Sequence, residues 1–531
     1  MAQLLSGDEA VAAAAYDAGI TLGTGYPGTP STEILEELEH LGGRAQWSPN
    51  EKVALEVAIG VSIAGGRTIV TMKHVGLNVA ADPLFTVAEM DIPGALVVVS
   101  ADDPGMASSQ NEQDNRRYAV AACVPMFEPS DAQEAYEFTL RAIEVAETWR
   151  CPVMVRLTTR VCHSKTLVKR EGVTVPPART PVYERNFAGR VMMPGNARAG
   201  HVRMRANMEQ IARWNEQSGP TKTINGSRTL GIITSGISYQ HVREAAPDAS
   251  VLKLGMTHPL PIEVIRRFAE GVDRCICVEE GDPYLFESCR AAGINVEARD
   301  SQFRFGELNV DRVRRLLAHD TTPEAKPLPG KPPALCPGCP HRSVYEVLRD
   351  TNSIVCGDIG CYALGAVPPF NANDTSVCMG ASIGVALGMR HVMPDEQAKR
   401  VVSILGDSTF LHSGMTGLAE MVYNAPKTGH VVLVVDNSIT AMTGMQENPS
   451  TGRKLDHSKT HKFVIEDVCK AIGVQNVHIV DATVDQAGFR KLLEDSLAKP
   501  ELTVIINRRV CLLAAKSIKE YEKRDEQLCS N

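Results

Sequence analysis

Short runs of β-branched and aliphatic residues, each closed by a glycine, an acid or a hydroxyl, recur along the chain at 68–72, 95–100, 152–157, 230–234, 250–254, 274–278, 401–405, 431–435 and 502–506. Runs that are apolar on both sides belong to strands buried on both faces of a parallel sheet. Helical patterns lie between them. Ser6 predicts an N-cap for an alanine-rich helix over 9–16, with Glu9 at the capping-box position. An extended glycine-rich stretch over 20–28 leads to a second helix opened by Pro30-Ser31-Thr32-Glu33, and a third spans about 51–64. Alternation of this kind implies an α/β fold with doubly wound parallel sheets.

The alternation breaks twice, which predicts three such domains. Residues 1–165 form the first. Residues 166–225 are basic, rich in Pro, Arg and Met and poor in periodicity, and read as a linker. Alternation resumes over 226–318, a smaller domain. A proline-rich connector occupies 319–334, and the third domain spans 335–511. Residues 512–531 form a charged tail, read as a solvated or frayed helix, and no internal repeat is present.

Composition narrows the function classes. The chain of 531 residues is 44% apolar and 22% charged, with net charge -8, which speaks against a nucleic-acid groove or an anionic membrane surface as partner. There is no apolar run of transmembrane length, and the N-terminus has no signal-like pattern, so a cytoplasmic location is expected. Fourteen cysteines in such a protein are expected as buried hydrophobes plus a metal-binding subset, not a disulfide framework.

Two constellations carry chemistry. The strand at 401–405 runs into Gly406-Asp407-Ser408, and that at 431–435 into Asp436-Asn437-Ser438-Ile439. Carboxyl ends of parallel strands are where α/β sheets bind ligands. The Asp407 carboxylate, the Asn437 amide oxygen and the Ile439 carbonyl would give a hard cation such as Mg2+ three protein oxygens, leaving places for phosphate and water. Two ordinary strand ends would look the same. The second constellation is Cys336-Pro337-Gly338-Cys339, with Cys361 and Cys511. Four thiolates can hold a 4Fe-4S cluster or a structural zinc, a CxxC can be a redox dithiol, and turn and core cysteines are the plain alternative. Cys356 is the rival of Cys361, and His341 is a donor to the group or a turn residue.

The Gly406–Asn437 segment resembles the thiamine-diphosphate signature, Gly-Asp-Gly followed through a helix by Asn-Asn. Ser408 replaces the second Gly and Asp436 the first Asn. With Tyr26-Pro27-Gly28-Thr29-Pro30-Ser31-Thr32-Glu33, Asn50 to Ala54, Met72 to Asp82, Cys336 to Arg342, Gly357 to Leu364, Gly406 to Gly417 and Thr440 to Gly444, the chain resembles the large (alpha) subunits of indolepyruvate:ferredoxin oxidoreductase, within the 2-oxoacid:ferredoxin oxidoreductases.

That resemblance implies a pyrimidine-binding domain at 1–165, a transketolase C-terminal-like domain at 226–318 and a diphosphate-binding domain at 335–511, with thiamine diphosphate between the first and third. It implies that Glu51 bonds the aminopyrimidine and switches on proton removal from the thiazolium ring. A helix N-terminal glutamate is the plain alternative, and Glu56 the fallback. It assigns Gly28, Gly360, Cys361, Gly406, Asp407, Ser408, Asn437, Ile439 and Thr443 to cofactor binding, and Thr29, Lys73, His74 and His412 to the catalytic surroundings. Gln113, Arg116 and Arg117 are carboxylate-binding candidates or a solvated loop.

The implied reaction joins a 2-oxoacid, an arylpyruvate such as indolepyruvate, with coenzyme A to give acyl-CoA and CO2. Electrons would pass through one 4Fe-4S cluster to ferredoxin or another acceptor. The resemblance also implies a small (beta) subunit and a dimer or heterotetramer. The ferredoxin-like domain usual at the C-terminus of these subunits is absent from the 531 residues. That leaves two other readings: a non-redox thiamine-diphosphate decarboxylase or carboligase acting on a carbonyl compound or acyl-CoA, and a regulatory subunit that keeps the fold.

Overall fold

Seven strands line up as Met256–His258, Met126–Phe127, Pro152–Thr158, Leu96–Asp102, Thr68–Lys73, Leu22–Gly25 and Ala45–Trp47 in the largest sheet of the computed structural model, which describes residues 2–177, 180–325 and 333–530. All pairs are parallel except the edge strand Met256–His258. Register sets Gly25 beside Thr71, Lys73 beside Ala101, and Asp102 beside Thr158, so the carboxyl ends form one edge. A second sheet orders Cys275–Val278, Ser227–Ser235, Ala249–Leu254 and Lys222–Ile224, the last antiparallel. Both belong to one compact unit, Met1–Ala325.

The α/β class with several parallel sheets is as expected, but the two sheets of this unit are interlocked. The edge strand Met256–His258 leaves the second block to complete the first sheet. The buried guanidinium of Arg116 bonds Asp114 and Glu279 (2.7 Å) and the carbonyls of Glu280 and Asp282, crossing from one block to the other. Such a charge is tolerable only because every donor is paired.

The stretch read as a linker holds the longest helix, Pro194–Ser218. Its buried seam runs Gly200, Met204, Ile211 and Asn215, with Met208 packed against the same core. The spacing is helical, but a glycine and an asparagine stand where apolar residues are expected. Gly200 is needed because a Cβ there would stand 2.4 Å from the Glu89 carbonyl, and Asn215 donates to the Pro259 carbonyl at 2.8 Å. Seven residues of the proline-rich connector, 326–332, lie outside the described residues.

In the second unit, Lys326–Asn531, five parallel strands order as Ile354–Cys356, Val401–Gly406, His430–Asp436, Leu502–Arg508 and Asn476–Val480. The two strands that end in the candidate motif are direct neighbours, with Gly406 opposite Val435. The tail is the helix Ala515–Ser530, and it is not simply solvated. Asp525 pairs with Arg453 at 2.6 Å, and the Tyr521 ring stacks on His457 at 4.3 Å. Among the described residues no helix is long and apolar enough to cross a membrane.

Candidate active site

Glu51 is the first residue of the helix Glu51–Ile63, and the Asn50 side chain caps that helix by accepting from the Val53 amide at 2.9 Å. The Glu51 side chain is buried, whereas Glu56 is exposed and paired with Lys52. What seats the Glu51 carboxyl is Gly76, in the short helix His74–Val79 that follows the strand Thr68–Lys73. A Cβ on Gly76 would stand 2.5 Å from Oε1 and 2.7 Å from Cγ of Glu51. Only a glycine leaves that space. Sequence reasoning placed Gly76 in a matching stretch without giving it a role.

Gly28 and Thr29 precede the helix Thr32–His40, so Thr29 lies in the loop before it. The Gly28 amide donates to Thr32 Oγ1 at 3.0 Å, the Gly28 carbonyl accepts from Ser31 Oγ at 3.0 Å, and the Thr29–Pro30 peptide is cis. Lys73 is buried, donates to the Ser108 carbonyl at 2.6 Å, and has its ammonium pKa lowered by burial. His74 is buried, with Nε2 at 3.1 Å from the Asn111 carbonyl. Gln113 bonds the His74 carbonyl at 3.0 Å. Of the two arginines expected to grip a carboxylate, Arg116 is spent on Asp114 and Glu279. Arg117 pairs with Glu287 on the rim of a cleft of about 970 Å3.

In the second unit, Asp407, Ser408, Asn437 and Ile439 are all buried at the carboxyl ends of adjacent strands. Asp407 Oδ2 accepts from Ser450 Oγ at 2.9 Å. Burial, and then the neighbouring Asp436 carboxylate, push the Asp407 pKa up to about 7. Asp436 itself accepts from Arg508 Nε at 2.7 Å and from the Ser438 amide at 3.0 Å. The aspartate that departs from the signature is thus turned to Arg508. Asn437 Oδ1 accepts from the Ile439 amide at 3.3 Å, and its backbone carbonyl accepts from the Cys511 amide at 3.0 Å. Thr440 Oγ1 donates to Ser408 Oγ at 3.0 Å, and Thr443 Oγ1 donates to Gln446 at 2.6 Å. His412 is buried in a π-helical turn, Phe410–Gly414, with Nδ1 at 2.7 Å from Ser413 Oγ.

Three residues went unread in the sequence. Tyr362 packs its ring where a Cβ on Gly360 or Gly406 would stand, at 2.5 and 2.7 Å, which explains both glycines. Its hydroxyl donates to the Ile359 carbonyl at 2.6 Å. Asp358 accepts from the amides of Gly380 (2.9 Å) and Ser382 (3.0 Å) and so pins the start of the helix Ala381–Val392. Ser450 reaches Asp407 from a loop over forty residues away in sequence, a contact that no local pattern signals.

The cysteines separate into two kinds. Cys336, Cys339, Cys361 and Cys511 are partly or fully exposed, and none is in a disulfide. Burial and then the other three thiols raise the Cys361 pKa to about 11. Among the described residues no three of these sulfurs fall within 4.8 Å of one another. The rival Cys356 is buried instead against Met389, 3.4 Å from its sulfur. His341 acts through its backbone amide, which bonds the Cys339 thiol, while its buried ring stands 6.1 Å from that of Tyr362, edge-on.

Comparison with known proteins adds what geometry alone does not. Residues 13–218 match the family model of the pyruvate flavodoxin/ferredoxin oxidoreductase thiamine-diphosphate-binding domain, and 358–506 that of the thiamine pyrophosphate enzyme C-terminal TPP-binding domain. Indolepyruvate oxidoreductase subunit IorA of Methanothermobacter marburgensis is 36% identical over 99% of this chain and 89% of its own. IorA of Archaeoglobus fulgidus is 36% identical over 96% of this chain and 86% of its own. The chain belongs to the IorA family. IorA proteins are large subunits of thiamine-diphosphate-dependent 2-oxoacid oxidoreductases, so this chain is an oxidoreductase subunit. A solved 2-oxoglutarate:ferredoxin oxidoreductase from Magnetococcus marinus aligns with 60% of the chain and 65% of its own at TM-score 0.49 and 16% identity, too weak a likeness to inform the site.

Proposed function

We propose that this IorA-family chain catalyses the oxidative decarboxylation of an arylpyruvate such as indolepyruvate. Substrate and coenzyme A give acyl-CoA, CO2, a proton and two electrons. The electrons leave through a 4Fe-4S cluster on Cys336, Cys339, Cys361 and Cys511 to ferredoxin or another acceptor, and a small (beta) subunit completes the enzyme. The relatives' name supports the substrate class.

The observation that carries the redox reading is the cysteine group. A zinc tetrahedron with bonds of about 2.3 Å wants its sulfurs about 3.8 Å apart. Among the described residues no three of these sulfurs come that close to one another, and four cysteines can instead supply the four ligands of an iron–sulfur cluster. Burial first, and then the neighbouring thiols, disfavour a Cys361 thiolate, and bound cations would offset both.

Thiamine diphosphate, when bound, supplies the electron sink for decarboxylation. The oxygen donors Asp407, Asn437 and Ile439 fit Mg2+ on its diphosphate, and a divalent cation would hold Asp407 ionised where burial otherwise favours its proton. Gly406 and Gly360 give up their side-chain space to the Tyr362 ring. Glu51, whose carboxyl is seated on Gly76, would be the residue that bonds the pyrimidine nitrogen.

The test is anaerobic purification with the small subunit, followed by iron and sulfide analysis and dye-reduction assays over several 2-oxoacids with and without coenzyme A. About four irons per chain and coenzyme A-dependent turnover of arylpyruvates are expected. An iron-free protein that releases aldehyde without reducing the dye would overturn the redox reading in favour of a decarboxylase.

A further inference from the structure

Two helices that follow strands of the first unit's large sheet are bridged by a third. The helix Thr32–His40 follows the strand Leu22–Gly25, and the helix Thr159–His163 follows Pro152–Thr158, so Glu33 and His163 both stand at the carboxyl edge. The helix Gly7–Asp17 packs against both and brings Asp8 to the same place. Its start is held tightly: a Cβ on Gly7 would stand 2.2 Å from the Val161 carbonyl, and the Ser6–Glu9 capping box closes the first turn.

Asp8, Glu33 and His163 each offer one ligand atom, and these atoms all lie within 4.8 Å of one another. The Asp8 side chain is 1% exposed, yet neither of its carboxylate oxygens has a hydrogen-bond partner. Its polar neighbours are the Cys162 thiol and the Glu33 carboxyl, and burial raises its pKa well above the ordinary carboxylate range. A neighbouring cation, Lys165, is taken by Glu9 at 2.9 Å. An unpaired buried carboxyl costs stability, and a structure that keeps one without a partner is usually built to receive something there.

We propose that Asp8, Glu33 and His163 bind a divalent cation of the zinc class, built from none of the residues assigned to the thiamine cofactor. The donor set decides the class. One imidazole nitrogen with two carboxylates suits Zn2+, whereas Mg2+ prefers oxygen alone. A tetrahedral ion with bonds of about 2.1 Å places its ligand atoms about 3.4 Å apart. Glu33 and His163 are exposed and free to rotate that last distance toward the fixed Asp8, and water completes the shell. The ion staples three helix ends and takes up the Asp8 oxygens that burial leaves without a hydrogen-bond partner.

The test uses the full chain, stripped with chelator and dialysed to equilibrium against Zn2+ with Mg2+ in excess. Bound zinc is counted per chain for wild type, His163→Ala and Glu33→Gln, and the melting temperature is read with and without Zn2+. Zinc on the cysteine group is common to all three proteins, so the difference isolates this site. Both substituted side chains are exposed, and both variants should fold. Each is expected to bind one zinc fewer and to show a smaller zinc-dependent rise in melting temperature than wild type. Equal zinc counts and equal rises in all three proteins would overturn the site, as would zinc lost only on Cys336→Ser.

Discussion

Replacing Gly76 by alanine is the sharpest probe of how Glu51 is positioned. The added methyl carbon would sit 2.5 Å from Oε1 and 2.7 Å from Cγ of Glu51. Carbon–oxygen contact needs about 3.4 Å, so the carboxyl must retreat by about 1 Å, and as the end of a flexible side chain it can do so without unfolding the protein. If Glu51 has the proposed proton-transfer role, a shift of that size costs on the order of a hundredfold in rate, or ~2.7 kcal/mol of barrier. Gly76→Ala should therefore lower kcat in the dye-reduction assay by about two orders of magnitude while cofactor retention and melting temperature stay near wild type. Gly60→Ala is the control. It lies on the same helix as Glu51, nothing stands within 4 Å of its Cβ position, and it should keep full kcat. If alanine 76 acts through Glu51, adding it to Glu51→Gln, which alone should nearly abolish turnover, costs little more. A Gly76→Ala enzyme within about threefold of wild type, or a full hundredfold loss on top of Glu51→Gln, would refute the positioning role.

Further outcomes are expected. The Asp407 carboxyl, with a pKa of about 7 in the metal-free chain, must lose its proton to take a cation. Retention of Mg2+ and thiamine diphosphate should then fall about tenfold per pH unit below 7, and Asp436→Asn, by removing the like charge, should move that threshold to lower pH in equilibrium dialysis. Glu280 is buried, and burial raises its pKa to about 7 from 4.5. Being protonated in the fold but ionised when unfolded, it contributes stability below pH 4.5 that is lost as pH rises through about 7, ~3 kcal/mol in all. Glu280→Gln should flatten the melting-temperature profile over that window and melt higher than wild type at pH 8. Cys361→Ser should lose iron from the anaerobically purified protein, whereas Cys356→Ser should keep it, which iron analysis and visible absorbance would check.

Much of the fold was legible because parallel strands are written as apolar runs. The strand Val401–Gly406 differs from its expected span by one residue, and the Ser6–Glu9 capping box is present as read. The helix Pro194–Ser218 was not legible, since its seam depends on a glycine admitting the Glu89 carbonyl and an asparagine paired to a distant one. The candidate site divides in the same way. Asp407 and Asn437 announce themselves by their place after strands. Gly76, Tyr362 and Ser450 act through partners distant in sequence, and nothing near them in the chain signals the contact. Arg116 misled for the converse reason. Its charge suggested solvent or a ligand, but the fold supplied Glu279 from a strand end over 160 residues later.

One backbone hydrogen bond in the second unit joins the two proposed sets of ligands. The Asn437 carbonyl is held by the amide of Cys511, so the residue proposed to offer an oxygen to magnesium and the residue proposed to offer a sulfur to iron share a strut. Oxidative loss of the inorganic centre would free the Cys511 turn and slacken the grip on the vitamin-derived coenzyme at the same time. Exposure to air would then strip the enzyme of both prosthetic groups together, and reconstitution would succeed only when iron, sulfide and coenzyme are supplied jointly.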